Sequence, residues 1–332
     1  MELIKHNPQS ELPPFGLVNM GATCYFNSIL QSLLSCTSFI DELTANKETA
    51  LYQRNPVSKY TIEMIVLANK LRDETKSDDA SLDDFNKSQI LKKLARLSPQ
   101  IWKSMVRVIS HTSGKPIESI LRGQQCAREG FHLLMDSLDE FGNLQDLVIH
   151  RYKSLIHCFD CNEWVSDVDN IYSIFEVHPD LKTTQLDKFK QYEEKDTPVD
   201  MNKFLTKQTG YVDRDFRCPK CRKKGEKYNM NCLVMVPEIL VVLSKKYVVG
   251  EKLDTYTDFP KDMVFNGNNS MKLNYTAVSQ VEHTGGMYGG HYWAISKRND
   301  GWYCLNDDRV SKSKFKPTIN TYMVFYHLTD IQ

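Results

Sequence analysis

The chain has no excess of charge of either sign: 42 lysines and arginines stand against 42 aspartates and glutamates, so its 332 residues carry no formal net charge. That balance gives it no general attraction to nucleic acid or to an anionic membrane, and neither is expected as a partner. It also lacks a long apolar run. The stretch from Cys232 to Leu243 is interrupted by Pro237 and Glu238 and falls short of the roughly 20 residues needed to cross a bilayer. It reads as a buried strand entered through a proline. No internal repeat or low-complexity linker divides the sequence, and no signal peptide opens it. The expectation is one lobed unit in an intracellular setting, cytoplasmic or nuclear.

What is present has a clear order. Helical periodicity marks Ile62 to Leu71, Ser88 to Leu97 and the block around Gln124 to Asp139, where Phe131, Leu134, Met135 and Leu138 form an apolar stripe. Strand character dominates from about Tyr228 onward. Helices followed by strands predict an α+β architecture, with a cleft between a helical lobe and a sheet lobe. The first eleven residues and the polar stretch Asp73 to Asp84 are expected to be mobile.

Two sites carry chemistry in this pattern. In Gly16-Leu17-Val18-Asn19-Met20-Gly21-Ala22-Thr23-Cys24-Tyr25-Phe26-Asn27-Ser28 a cysteine sits where a loop turns into an apolar-periodic helix that should run to about Cys36. Tyr25, Ile29 and Leu33 would bury one stripe of it. A helix N-terminus favours thiolate over thiol, and Asn19 supplies a neutral donor for an oxyanion. The competing reading is a small buried cysteine heading a core helix. A base decides between them.

His291 is the strongest base, in Gly285-Gly286-Met287-Tyr288-Gly289-Gly290-His291-Tyr292-Trp293. The segments His291 to Arg298 and Gly301 to Leu305 read as a hairpin turning at Asn299-Asp300. Arg298 then pairs with Gly301, and His291 and Asn306 become diagonal neighbours on one face, close enough for their tips to meet. A loop at Asp300-Gly301 would shift that register and require a bulge. Asn306 is assigned to orient the imidazole, with Asp307 as a nearby carboxylate that takes the role if the strand kinks. His283 competes and is read as lining or bracing the site.

The second signal is a pair of knuckles, Cys158-Phe159-Asp160-Cys161 and Cys218-Pro219-Lys220-Cys221. Four thiolates suit one structural zinc with no open coordination position. Disulfides need an oxidising compartment, and a redox pair needs a βαβ setting that is absent here. His157 is a spare ligand. The insertion around Lys182 to Asp200 is charged and reads as a loop or short strands. Arg217, Lys220, Arg222, Lys223, Lys224 and Lys227 cluster beside the second knuckle, which keeps a nucleic-acid ribbon as a secondary reading. Of the nine cysteines, Cys36, Cys126, Cys232 and Cys304 remain and are expected to be reduced.

Taken together, these motifs resemble those of the ubiquitin-specific proteases, papain-like cysteine peptidases that remove ubiquitin from proteins. The nucleophile block, the Gln124 block, the histidine block and the run Trp302 to Val310 occur in the family's order. The resemblance implies a single catalytic domain over residues 12–332: a mainly helical thumb (12–145), fingers with a zinc ribbon (150–230) and a mainly β palm (231–332). It implies Cys24 as nucleophile, His291 as general base, Asn306 as third triad member and Asn19 in the oxyanion hole. Gln125, Glu129, Gly289, Gly290 and Tyr292 would bind substrate. Ubiquitin and ubiquitinated proteins are the implied partners, together with an activating partner. Two departures stand out. Cys126 replaces an aspartate that contacts an arginine in ubiquitin's tail, and Gly130 replaces a bulkier residue. The alternatives are a protease for another ubiquitin-like modifier and a catalytically weak ubiquitin-binding scaffold.

Overall fold

The computed structural model describes residues 10–49, 54–76, 84–114, 116–118, 126–138, 143–177, 199–200, 209–248, 251–252, 256–266, 272–286 and 289–331. Gln124, Gln125 and most of the 182–200 insertion lie outside the described residues. Helices come first: α1 (Cys24–Leu33), α2 (Thr37–Ala45), α3 (Pro56–Lys76), α4 (Asp84–Ser113), α5 (Ala127–Leu138) and the single turn α6 (Asn143–Asp146).

The central helix is α1, and every one of its residues is buried, not one stripe. It is enclosed by the long strand pair of the sheet lobe on one side and by α5 on the other. Three of its polar side chains donate to backbone carbonyls. Ser28 Oγ donates to Tyr25 O at 2.7 Å, Ser32 Oγ to Ser28 O at 2.8 Å, and Gln31 Nε2 to Phe15 O at 2.8 Å. Such bonds let an amphipathic sequence stand in a core without orphaned polar groups. The helix stops at Leu33, short of Cys36, and the buried Arg298 guanidinium closes the end. Its Nη2 donates to Gln31 O at 3.1 Å and to Gln31 Oε1 at 2.5 Å, and Nη1 donates to Ser35 Oγ. A cation at a helix C-terminus meets the negative end of the dipole.

The second long helix, α4, extends well beyond the expected Ser88 to Leu97 and continues through Pro99. Ile90, Leu94, Leu97, Ile101 and Met105 are all buried along it, so one continuous apolar face outweighs the lost N–H. Asp73 to Lys76 and Asp84 are helical, which corrects the expectation of a mobile stretch at those positions.

Strands begin at His150, earlier than the sequence pattern indicated. The finger sheet has the order β2-β1-β6-β5, built from β1 (His150–Cys158), β2 (Glu163–Tyr172), β5 (Thr209–Arg217) and β6 (Lys224–Met235). Arg151, Lys153, Ser166, Asp167, Asp169 and Asn170 interrupt any apolar alternation in β1 and β2, so periodicity could not mark them. The palm sheet runs β15-β14-β13-β12-β16-β7-β3, with β11 also on β12. Its members are β3 (Phe175–Val177), β7 (Ile239–Ser244), β11 (Asp262–Asn266), β12 (Lys272–Gly285), β13 (Gly290–Arg298), β14 (Gly301–Asn306), β15 (Arg309–Ser313) and β16 (Thr321–Ile331). Two short pairs complete the set: β4 (Val199–Asp200) with β10 (Thr257–Asp258), and β8 (Tyr247–Val248) with β9 (Glu251–Lys252).

The apolar run Cys232 to Leu243 is not one strand. It divides at Val236-Pro237-Glu238 into the end of β6 and the wholly buried β7. On β7, Ile239, Val241 and Leu243 join the core under the helices, while Leu240 and Val242 join a second core with Phe259, Met263, Tyr275 and Tyr326. A strand covered on both faces has no reason to alternate.

Candidate active site

Cys24 is the first residue of α1 and is 4% exposed. Burial pushes its thiol up from the ordinary value, and the Asp307 carboxylate adds to that. The N–H groups of Tyr292, Tyr25 and Cys24 itself pull the other way. The helix start therefore does favour the thiolate, but burial outweighs it. The Tyr292 N–H at the sulfur also places Cys24 against the residue that follows His291 in β13.

The hairpin has the expected register, with Arg298 opposite Gly301 and Ala294 opposite Leu305. Continuing that pairing makes His291 and Asn306 diagonal neighbours. His291 Nε2 and Asn306 Oδ1 are 2.6 Å apart, so Nε2 carries the proton it donates and Nδ1 is the basic nitrogen. Trp293, two residues on, stacks beside the imidazole at 6.1 Å between centroids and 22° between planes.

Asp307 does not simply face away. It occupies the β14–β15 turn with φ 52°, the left-handed region that aspartate tolerates better than most residues. From there Oδ2 accepts Asn19 Nδ2 at 2.8 Å, Oδ1 accepts Asn27 Nδ2 at 2.8 Å, and Oδ2 lies 3.9 Å from His291 Nε2. Leu17 N donates to Asp307 O at 2.8 Å. The approach requires Gly16, where a Cβ would lie 2.6 Å from the Asp308 carbonyl oxygen.

Asn19 organises the loop before the cysteine. Its Oδ1 accepts Gly21 N at 2.9 Å, Thr23 N at 3.2 Å and Thr23 Oγ1 at 3.2 Å, while Nδ2 reaches Asp307. Asn27 was not singled out from the sequence. It joins the Asp307 carboxylate to Val18 O at 3.2 Å, and its own Oδ1 accepts Ser98 Oγ at 2.5 Å. A carboxamide three residues after Cys24 in an otherwise apolar turn was the available signal.

A pocket of about 300 Å³ opens beside the β12–β13 loop, with Cys126, His283, Gly286, Gly289 and Tyr292 in its wall. The Tyr292 ring lies on His283 at 4.2 Å, and His283 Nδ1 is 2.7 Å from Tyr247 Oη. Burial, reinforced by Lys252, His291 and Lys246, lowers His283 to about 4, so at neutral pH it braces the wall as an uncharged ring. Gly290 has no room for a side chain, since a Cβ would lie 2.2 Å from Thr284 O and 2.3 Å from His283 Nε2. Glu129 stands at the start of α5 and is exposed.

At the far end of the fingers the four knuckle sulfurs all lie within 4.8 Å of one another. Cys158 and Cys221 are 3.9 Å apart and Cys161 and Cys218 are 3.8 Å apart. A tetrahedral ion with bonds of about 2.3 Å separates its sulfurs by about 3.8 Å, so the cluster can hold a metal. The residue after each knuckle, Asn162 and Arg222, has positive φ (55° and 61°), which turns the chain back around the site. His157 contacts Phe159 and Trp164 in edge-on geometry and is not a member of the sulfur group.

The family model described as ubiquitin carboxyl-terminal hydrolase matches residues 15–326. The chain belongs to that family. Ubiquitin carboxyl-terminal hydrolase 2 of Rattus norvegicus is 24% identical over 345 residues, covering 94% of this chain and 54% of the relative. Ubiquitin carboxyl-terminal hydrolase 15 of the same species is 32% identical over 141 residues, covering 38% of this chain and 15% of the relative. The chain thus spans a minor part of several curated relatives. Among solved structures, a SAGA DUB module of Ubp8, Sgf11, Sus1 and Sgf73 bound to monoubiquitin superposes with a TM-score of 0.65 at 18% identity, over 99% of this chain and 72% of that one. The fold is that of the ubiquitin-specific proteases, with thumb, palm and fingers. Among the described residues no helix is long and apolar enough to cross a membrane.

Proposed function

We propose that the chain is the catalytic domain of a deubiquitinating thiol hydrolase, cutting the isopeptide or peptide bond after the C-terminal glycine of ubiquitin. The thumb spans 12–145, the fingers 150–230 and the palm 231–332. One observation supports this most directly: His291 is held through Nε2 by Asn306 at 2.6 Å, and the next residue of its strand presents its N–H to the Cys24 sulfur.

In this reading His291 Nδ1 takes the Cys24 proton as the sulfur attacks the glycine carbonyl. The oxyanion meets the Nδ2 hydrogen of Asn19 not given to Asp307, together with the N–H groups at the start of α1. His291 then passes its proton to the leaving amine, and a thioester joins ubiquitin to Cys24. Water, deprotonated by His291, attacks the thioester, releasing the carboxylate and restoring the thiol. Asp307, 3.9 Å from Nε2, stabilises the imidazolium that forms twice in the cycle. Gly289 and Gly290 admit a tail without side chains, and Glu129 and Tyr292 flank its path; Gln125 belongs to the same binding set.

Cys158, Cys161, Cys218 and Cys221 hold one structural zinc in this reading, which ties the fingertip and leaves no coordination position for chemistry. An activating partner is proposed by analogy with the SAGA module, whose structure contains Sgf11, Sus1 and Sgf73. The test is reaction with ubiquitin carrying a C-terminal electrophile, followed by mapping of the adduct. An adduct on Cys24, with Cys24→Ala binding ubiquitin but cleaving nothing, supports the reading. An adduct elsewhere, or cleavage by Cys24→Ala, overturns it.

A further inference from the structure

The pocket beside the β12–β13 loop adjoins Cys24 through Tyr292, which gives its ring to that wall and its N–H to the sulfur. The wall is lopsided in charge. Arg128, Lys245 and Lys246 line it against a single carboxylate, Glu176. Glu176 accepts Arg128 Nη2 at 2.8 Å and Lys245 Nζ at 3.3 Å, so these three leave one net positive charge, and the buried Lys246 gives its ammonium to the Ile319 carbonyl. Lys252 adds a further cation at the rim, where its Nζ donates to Gly285 O at 2.8 Å. The aromatic floor does not offset this, since His283 is neutral and the tyrosines carry no charge at neutral pH.

Cys126 completes the picture. It caps α5: its Sγ accepts the Glu129 N–H at 3.4 Å, and Glu129 Oε2 accepts the Cys126 N–H at 3.5 Å. This is the reciprocal arrangement of a capping box, in which aspartate would be a better first member than cysteine. The chain therefore carries a thiol at a position where a carboxylate would both cap the helix and face the pocket. Glu129, the acid of the same capping turn, is turned onto the backbone. A basic side chain entering here would meet like charge with no free carboxylate among the described lining residues.

Resting on the thiol-hydrolase reading, we infer that this pocket selects a ubiquitin-like tail that places an acidic side chain over Cys126, where Arg128 and Lys245 receive it, and disfavours a basic one there. The cations sit on the thumb and palm sides of the cleft, so a carboxylate would also draw the two walls together. The preference is electrostatic and partly solvent-exposed, so it should weaken as salt is added.

The experiment compares ubiquitin coumarin-amide substrates with the native tail and with each tail arginine exchanged in turn for glutamate, at low and high salt. At least one glutamate substrate should show kcat/KM raised by about three- to tenfold at low salt, the scale of a partly screened charge pair. Cys126→Asp, which keeps the cap and should fold as well as the wild type, should reverse the order. A wild-type preference for arginine, equal rates for all tails, or an order unchanged in Cys126→Asp overturns the inference and leaves the hydrolase reading intact. If no substrate is cleaved and Cys24 takes up no electrophilic ubiquitin, the hydrolase reading itself fails.

Discussion

Asn19 gives its amide to the carboxylate of Asp307 across 288 positions of sequence, at 2.8 Å, and so ties the loop before the cysteine to the hairpin that carries His291 and Asn306. With Asn27 on the other oxygen, the carboxylate is fixed by two neutral donors and lies 3.9 Å from the imidazole. A bare Coulomb figure at that distance overstates its worth, because the His291 side chain is 40% exposed.

Asp307→Asn should accordingly lower kcat for ubiquitin-amide hydrolysis by about tenfold or more, with a smaller change in KM, because the lost charge acts on an imidazolium formed only during the reaction. It should also cost about 1–2 kcal/mol of stability, since an amide nitrogen would face one of the two asparagine donors. An unchanged kcat in a destabilised variant would reduce Asp307 to a structural tie.

Cys24 leads to a pH prediction. Burial first, and the Asp307 carboxylate after it, raise the thiol above its ordinary value of 9.0, so the free protein holds a thiol at neutral pH. Alkylation of Cys24 by iodoacetamide should climb by about tenfold per pH unit from 7 to 9, because only the thiolate reacts. Asp307→Asn should move the curve to lower pH. A rate already flat at pH 7 would mean a resting thiolate and would contradict this reading of the site.

The parts of this site that share a local rule could be read before any coordinates. The Asn299-Asp300 turn sets a register, the register sets the His291–Asn306 diagonal, and the loop-to-helix switch places Cys24 at a helix start. What escaped depends on chain segments far apart. The left-handed turn at Asp307 aims its carboxylate at Asn19 and Asn27, and no periodicity reports a contact of that range. The enclosure of α1 on all sides is likewise a property of its neighbours, as is the division of Cys232 to Leu243 between two sheets.

The four-cysteine cluster should bind close to one equivalent of zinc, measured on purified protein by metal analysis. Chelation, or paired Cys158→Ser and Cys161→Ser, should raise hydrogen exchange across β1, β2, β5 and β6 while leaving α1 and α4 protected. In a sheet with little apolar alternation a bound metal would be the main restraint on the tip, and its binding energy would be folding energy there. Exchange that is unaffected by full metal removal would show that the fingers stand without it.

Gly130 stands against Tyr25, the residue after Cys24, and a Cβ would come within 2.6 Å of Cδ2 and 2.8 Å of Cε2 of that ring. The ring is buried, and its hydroxyl accepts Trp102 Nε1 at 3.1 Å, so it is pinned between α4 and α5. Gly130→Ala sets two effects against each other: about 1 kcal/mol of gained helix propensity and about 1–3 kcal/mol of overpacking. Because the ring is anchored at its far end, overpacking should win, and urea denaturation should show a net loss of stability. Tyr25→Phe removes the anchor and lets the ring shift, so the double variant should lose less than the sum of the two single losses. Equal or greater stability in Gly130→Ala would mean that the ring moves freely. The close packing of α5 on α1 would then not explain why glycine stands there.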